Sequence, residues 1–306
     1  MSKITFVTCL FNIERDKTEI EGMSRDISTY LKYFDFWAGL KNELIIYTSK
    51  EYKNDLMEIR KKHNLEEKTK IVLIDNIYEI APNVYDNMCE IERDSCFKNF
   101  RYYENAMSNT AKYNYLIYIM YWAMNDAVER GLIKDKVAWI DLGFNHGGKF
   151  YTNRNEFDFE WNYSFCNKIT CFALFDPNTI SAIDSLQFQK DCFMGGITVV
   201  DKNKMYFFWD CIKKAVDSLL MLECMDDDQQ WLLMVYKKYP HEFEIKICNW
   251  FEQFIVCGHQ ELAHREINMK HESTVILLIK KVINIFRKTQ IKDFIYRTKE
   301  RAKLMQ

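Results

Sequence analysis

The stretch that most constrains this chain is Val137-Ala138-Trp139-Ile140-Asp141-Leu142-Gly143-Phe144-Asn145-His146-Gly147-Gly148, an apolar, β-prone run that ends in a carboxylate and then in three glycines. It reads as a buried strand that delivers Asp141 to its carboxyl end and opens into a tight loop. In open α/β sheets that edge is where ligands bind. The chain has only nine glycines, and six follow position 140, at Gly143, Gly147, Gly148, Gly195, Gly196 and Gly258. A Gly-poor chain keeps its glycines where the backbone takes positive φ or closely approaches a ligand. A plain strand-to-loop turn with Asp141 as its cap explains the local pattern equally well.

The rest of the chain supplies a frame for that strand. Ile4 to Phe11 reads as a buried first strand with Asn12 to Arg15 as its exit loop. Tyr30, Tyr33, Phe34 and Trp37 share one helical face between about 26 and 40. Leu44 to Thr48 and Lys70 to Ile74 are further strands separated by a charged helix, so βαβ units and a parallel sheet follow. Asp75, at the end of the third, can bind a base or ribose or cap the next turn. From about 77 to 109 the chain reads as irregular helix and loop. Tyr113 to Arg130 is a buried helix closed by Gly131, and Lys112 stands at its start, where a lysine and free backbone N–H groups meet phosphate. Ile169 to Phe175 is another strand.

The Gly195-Gly196 step runs into a β-branched strand ending at Asp201, which suits a bulge, close packing against a sugar ring, or a hairpin turn. A helix follows from about Asn203 to Cys224. Asp226-Asp227-Asp228-Gln229 then precedes an apolar helical run, where acidic residues cap free donors and offset the helix dipole. The fold class expected is α/β, with a mixed, mainly parallel central sheet flanked by helices. The chain divides into a main domain over 1–270 and a basic tail over 271–306.

Charge and cysteine usage narrow the function classes. A net charge of −2 gives no footprint for nucleic acid. From Ser273 to Gln306, however, nine Lys/Arg face only Asp293 and Glu300. Val275, Leu278, Ile279, Val282, Ile285 and Phe286 make that tail a basic amphipathic helix, suited to an anionic membrane surface through 275–303, to docking or to dimerisation. Ten cysteines without a CxxC pair or an export signal read as reduced thiols of a cytoplasmic protein, peripheral at the inner membrane face. No run of eighteen apolar residues exists to span a bilayer.

One carboxylate at a strand end, Gly-rich loops and an acidic helix start are parts of a sugar-nucleotide site. A leaving diphosphate needs neutralisation by a divalent cation or by Lys/Arg. Asp141 is the metal-ligand candidate, for Mn²⁺ or Mg²⁺. An acceptor hydroxyl needs a general base, for which Asp228 is the candidate and Asp227 its rival. His259 and His264 lack HExxH spacing, but His259 could complete a manganese shell. No P-loop, GxGxxG, GxSxG or kinase signature is present.

Phe6-Val7-Thr8-Cys9-Leu10-Phe11-Asn12-Ile13, the segment from Phe36-Trp37 to Ile46-Tyr47-Thr48, Lys112 ahead of its helix, Trp139-Ile140-Asp141-Leu142-Gly143 and Asp228-Gln229 together resemble the HtrL/YibB family over about residues 4 to 255. That bacterial family is associated with lipopolysaccharide and capsule gene clusters and regarded as glycosyltransferases. The resemblance implies a GT-A-like fold, a nucleotide-sugar donor with UDP-sugars favoured, and a surface-glycan or glycolipid acceptor. It places Asp141 at the metal-binding carboxylate and Asp228-Gln229 near the acceptor. The donor surface expected comprises Thr8, Phe11, Asn12, Asp75, Lys112, Asp141, Gly143, Gly195, Gly196 and Gln229. Where GT-A enzymes carry Asp-x-Asp, this chain has Asp141-Leu142-Gly143. That departure sustains a second reading, a non-catalytic glycan-assembly partner. A third is a sugar-phosphate nucleotidyltransferase, but such enzymes commonly carry a Gly-rich loop with basic residues directly after the first strand, which Asn12-Ile13-Glu14-Arg15 does not resemble.

Overall fold

The computed structural model describes residues 3–18, 23–94 and 107–259. The basic tail and His264 lie outside the described residues.

Seven strands form one sheet in the order β3-β2-β1-β4-β6-β5-β7. They are β1 (Ile4–Leu10), β2 (Glu43–Thr48), β3 (Thr69–Leu73), β4 (Lys136–Ile140), β5 (Ile169–Ala173), β6 (Phe193–Asp201) and β7 (Phe243–Ile247). β1 is buried along its whole length, as a strand covered on both faces must be. It pairs in parallel with β2 and β4, and β2 pairs in parallel with β3. The exception is β6, which runs antiparallel between β4 and β5, while β7 lies parallel to β5. The sheet is therefore mixed and mainly parallel, and the carboxyl ends of β1 to β4 share one edge with the start of β6.

Helices cover both faces. On one side pack α3 (Pro82–Arg93), α4 (Ala111–Glu129), α5 (Ala182–Phe188), α6 (Lys202–Met221) and α7 (Asp228–Lys238). On the other lie α1 (Ile27–Trp37), α2 (Lys53–Lys61), α8 (Gln253–Val256) and the aromatic segment 142–165. The stretch from 77 to 109 holds a regular twelve-residue helix, α3, rather than only irregular backbone. Pro82 at its first turn needs no hydrogen-bond acceptor there, and Met88 and Ile91 give it an apolar face. β7, Phe243-Glu244-Ile245-Lys246-Ile247, alternates apolar and polar residues as a half-buried strand does, a signal that the sequence reading passed over, and it pairs in parallel with β5. Gly195 and Gly196 lie within β6, not in a hairpin turn.

Two buried cations tie the frame together. The Arg60 guanidinium is wholly buried and donates to the carbonyls of Ala38, Leu40 and Asn42 and to Thr69 Oγ1, joining α2 to the entrance of β2. Lys136 donates to Asp201 Oδ2 at 2.6 Å and Asn167 Oδ1 at 2.8 Å, joining the start of β4 to the end of β6. Both stand away from the carboxyl edge and serve the fold. The nine cysteines among the described residues are free thiols.

Candidate functional site

The carboxyl edge gathers side chains from five separate segments. Asp141 follows β4 directly, is exposed, and accepts from the Gly143 N–H at 2.6 Å, while its own N–H donates to the Gly196 carbonyl at 2.9 Å. Beyond it, Asn145, His146, Gly147 and Gly148 all take positive φ. Two non-glycine residues in that region mark stored strain of the kind found at functional sites. The buried Asn145 side chain holds the loop, accepting from the N–H groups of Phe150 and Tyr151 and donating to the Tyr151 carbonyl. At Gly147 a Cβ would lie 2.8 Å from the Tyr33 ring of α1, so the glycine lets the loop close onto that helix.

The start of α7 comes to the same edge because α6 runs back from the far end of β6. Asp227 is the helix N-cap, its carboxylate accepting from the Gln229 N–H at 3.2 Å. Asp228, one residue on, is 5% exposed, and its Oδ2 has no hydrogen-bond donor in bonding geometry. Its carboxyl lies against Gly195: a Cβ there would be 2.9 Å from Asp228 Cγ and closer still to Oδ2. Burial first, then the charges of Asp227 and Asp141, push the Asp228 carboxyl well above the ordinary range. Asp141 and Asp228, 87 positions apart in sequence, thus act on each other across one site.

Tyr113, on the first turn of α4, is the hub. Burial and then the charges of Asp227 and Asp228 raise its phenol, with Asp141 adding to the rise and Arg15 opposing it. The Arg15 guanidinium lies 5.5 Å from the centre of its ring and also donates to Tyr30 Oη and the Met23 carbonyl. Tyr121 of α4 sits behind Asp228, its phenol raised by burial and by that carboxylate. Sequence reading missed Arg15, Tyr30, Tyr113 and Tyr121. The cation in the exit loop of the first strand was the one available signal, since tyrosines at helical spacing read as core.

Other expected residues are placed differently. Lys112 is at the edge but ion-paired to Glu14. Gln229, with its amide turned to donate, bonds the Phe193 carbonyl at 2.9 Å and Asp191 Oδ1 at 3.1 Å, so it secures the entry of β6. Asn12 Oδ1 accepts from the Glu14 N–H and shapes the loop after β1. Thr8 is wholly buried, on the strand face it shares with Phe6 and Leu10, and Phe11 belongs to the opposite core, so neither presents its side chain to a ligand. Asp75 is exposed beyond the edge strand β3, two strands away from β1, and Asn76 caps the turn there. Asp227, the rival base of the sequence reading, is the helix cap and gives Oδ1 to the Gln229 N–H.

His259 does not join Asp141. Its ring packs 3.8 Å from that of Phe159, whose carbonyl accepts from Lys41 ahead of β2, at the opposite end of the sheet. Among the described residues no three His, Cys, Asp or Glu side chains stand close enough to hold a metal ion. Of the two residues expected to hold a metal ion, Asp141 and His259, only Asp141 stands at this edge.

Fold and site together define an α/β protein that gathers carboxylates and cations at the carboxyl edge of a mixed sheet. The chain belongs to the HtrL_YibB family, described as a bacterial protein of unknown function, which matches residues 2–259. It is 26% identical over 269 residues to Protein HtrL of Escherichia coli (strain K12), covering 83% of this chain and 92% of that protein. Among solved structures, mouse xyloside xylosyltransferase 1 in its apo form aligns with a TM-score of 0.40 and 12% identity, over 85% of this chain and 91% of that one. Among the described residues no helix is long and apolar enough to cross a membrane.

Proposed function

We propose that the protein is a glycosyltransferase that moves a sugar from a nucleotide-sugar donor, a UDP-sugar by preference, to a bacterial surface-glycan acceptor. The observation that carries this reading is the pairing of Asp141 with the buried, high-pKa Asp228 at the carboxyl edge, beside the Arg15 and Lys112 cations. In a GT-A-like use of the mixed sheet the donor lies across that edge.

Asp228 is the general base. A carboxyl raised above the ordinary range holds an accepted proton more firmly than an ordinary aspartate does. In a single displacement the acceptor O–H gives its proton to Asp228 as its oxygen bonds the anomeric carbon, and the bond from that carbon to the diphosphate oxygen breaks. Arg15 and Lys112 face the negative charge that builds on the leaving nucleoside diphosphate. A divalent cation arriving with the diphosphate and held by Asp141 would add to that neutralisation. Gly195 keeps the space Asp228 occupies, and Tyr113 and Tyr121 exclude water around it.

The test is titration of the purified chain with UDP-, GDP- and CMP-sugars, with and without Mn²⁺, repeated on Asp141→Ala. One donor should bind and weaken on substitution. A folded protein that binds none of them would end the transferase reading and favour a non-catalytic role in glycan assembly.

A further inference from the structure

The loop after β1 carries a feature that donor binding alone does not explain. Glu14 takes left-handed backbone geometry, with φ 59 and ψ 35, which is uncommon outside glycine. Its two carboxylate oxygens are taken by two different lysines, Oε1 by Lys17 and Oε2 by Lys112, which reaches it from α4. Bonds from Lys112 first and Lys17 second hold the carboxyl down at about 2. These residues line a cavity of about 280 Å³ together with Arg15, Tyr85 and Tyr113. Glu92 also lines it, but accepts from the Ala111 N–H at 3.0 Å.

Two ammonium groups on separate oxygens of one anion, with a guanidinium fixed beside them, is the cation arrangement that suits phosphate oxygens. Arg15 is held there by the Met23 carbonyl, Tyr30 Oη and the Tyr113 ring. Through Tyr113 the cavity adjoins Asp141 and Asp228. Without an anion the three cations would repel one another. Glu14 is 43% exposed, and exposed ion pairs are weak, so its carboxylate can leave for water at little cost.

We propose that Glu14 is a resident stand-in for phosphate, occupying the anion position of the Arg15, Lys17 and Lys112 pocket and surrendering it when a diphosphate binds. That the diphosphate is the donor's rests on the transferase reading; that the pocket takes a diphosphate does not. A diphosphate carries more negative charge than one carboxylate and so displaces it from the same cations. The left-handed backbone at Glu14 then relaxes as its side chain turns outward.

Calorimetric titration of the full chain with inorganic pyrophosphate tests this on wild type, Glu14→Gln, Glu14→Gly and Glu14→Gln/Lys112→Ala. Glu14→Gly suits the positive φ and guards against a folding defect in the first variant. Both single variants should bind pyrophosphate at least about fivefold more tightly than wild type, the usual lower size of a coupling between sites. Adding Lys112→Ala should abolish that gain. Unchanged or weaker binding in both single variants, or no binding by any variant at millimolar concentration, overturns the proposal. Nucleotide-sugar binding that depends on Asp141 but ignores Glu14 would leave the transferase standing and remove the stand-in. Tight pyrophosphate binding by Glu14→Gln in a protein that binds no nucleotide sugar would do the reverse.

Discussion

Gly195→Ala offers the sharpest test of how the site is built. Gly195 lies in β6 without positive φ, so the backbone itself has no need of glycine there. In a free strand position the substitution would stabilise by about 0.4–1 kcal/mol through the unfolded chain. Here the new methyl would sit 2.9 Å from Asp228 Cγ and 3.0 Å from Oδ1, where ordinary contact begins near 3.4 Å. The carboxylate cannot simply retreat. Asp227 caps the helix start and Gln229 is bonded to Phe193 and Asp191. Overpacking of this kind costs about 1–3 kcal/mol, so a net loss of about 1–2 kcal/mol remains. At roughly 2–4 °C per kcal/mol for a chain of this size class, the midpoint should fall by roughly 2–8 °C in differential scanning calorimetry. In an Asp228→Ala background the same substitution should cost nothing or stabilise, because the atoms it strikes are gone. A wild-type midpoint for Gly195→Ala, or an equal loss in both backgrounds, would refute the contact.

Asp228→Asn should abolish sugar transfer yet raise stability. The raised carboxyl means the folded state keeps a proton that the unfolded chain releases, so stability falls as pH climbs from about 4 through the folded pKa. The amide removes that loss, with an expected gain of about 0.5–2 kcal/mol at neutral pH that disappears below about pH 4. Urea midpoints at pH 4 and pH 8 measure it, and a variant less stable than wild type at pH 8 contradicts the burial of a strained charge. Lys136→Met should cost about 3–5 kcal/mol, since it leaves the buried Asp201 without its cation. Burial raises the Asp201 carboxyl, but the bonds from Lys136 and the Asn203 N–H outweigh it and leave the pKa lowered. The pair's contribution is therefore full at neutral pH and lost as pH falls through that lowered value. Lys136→Met/Asp201→Asn should recover most of the loss in the same denaturation assay; failure to recover would mean Lys136 acts through something other than Asp201.

The local pattern of this chain by itself determined the buried strands β1, β2 and β4, the βαβ order of its first half, and the delivery of Asp141 to a strand end ahead of a glycine loop. Those features follow from periodicity and chain chirality, which short stretches carry whole. It also determined that Asp226-Asp227-Asp228 begins a helix, since capping is a local matter. Only the tertiary structure decided that Asp227 and Asp228 are both buried, with Asp227 as the cap and Asp228 packed against β6, because the space for Asp228 is supplied by Gly195, 33 positions away in sequence. Only packing separated Thr8 and Phe11 from the ligand edge, put His259 at the wrong end of the sheet for Asp141, and brought Arg15 onto Tyr113. Such placements depend on contacts between segments up to about a hundred residues apart, and no spacing within either segment records them.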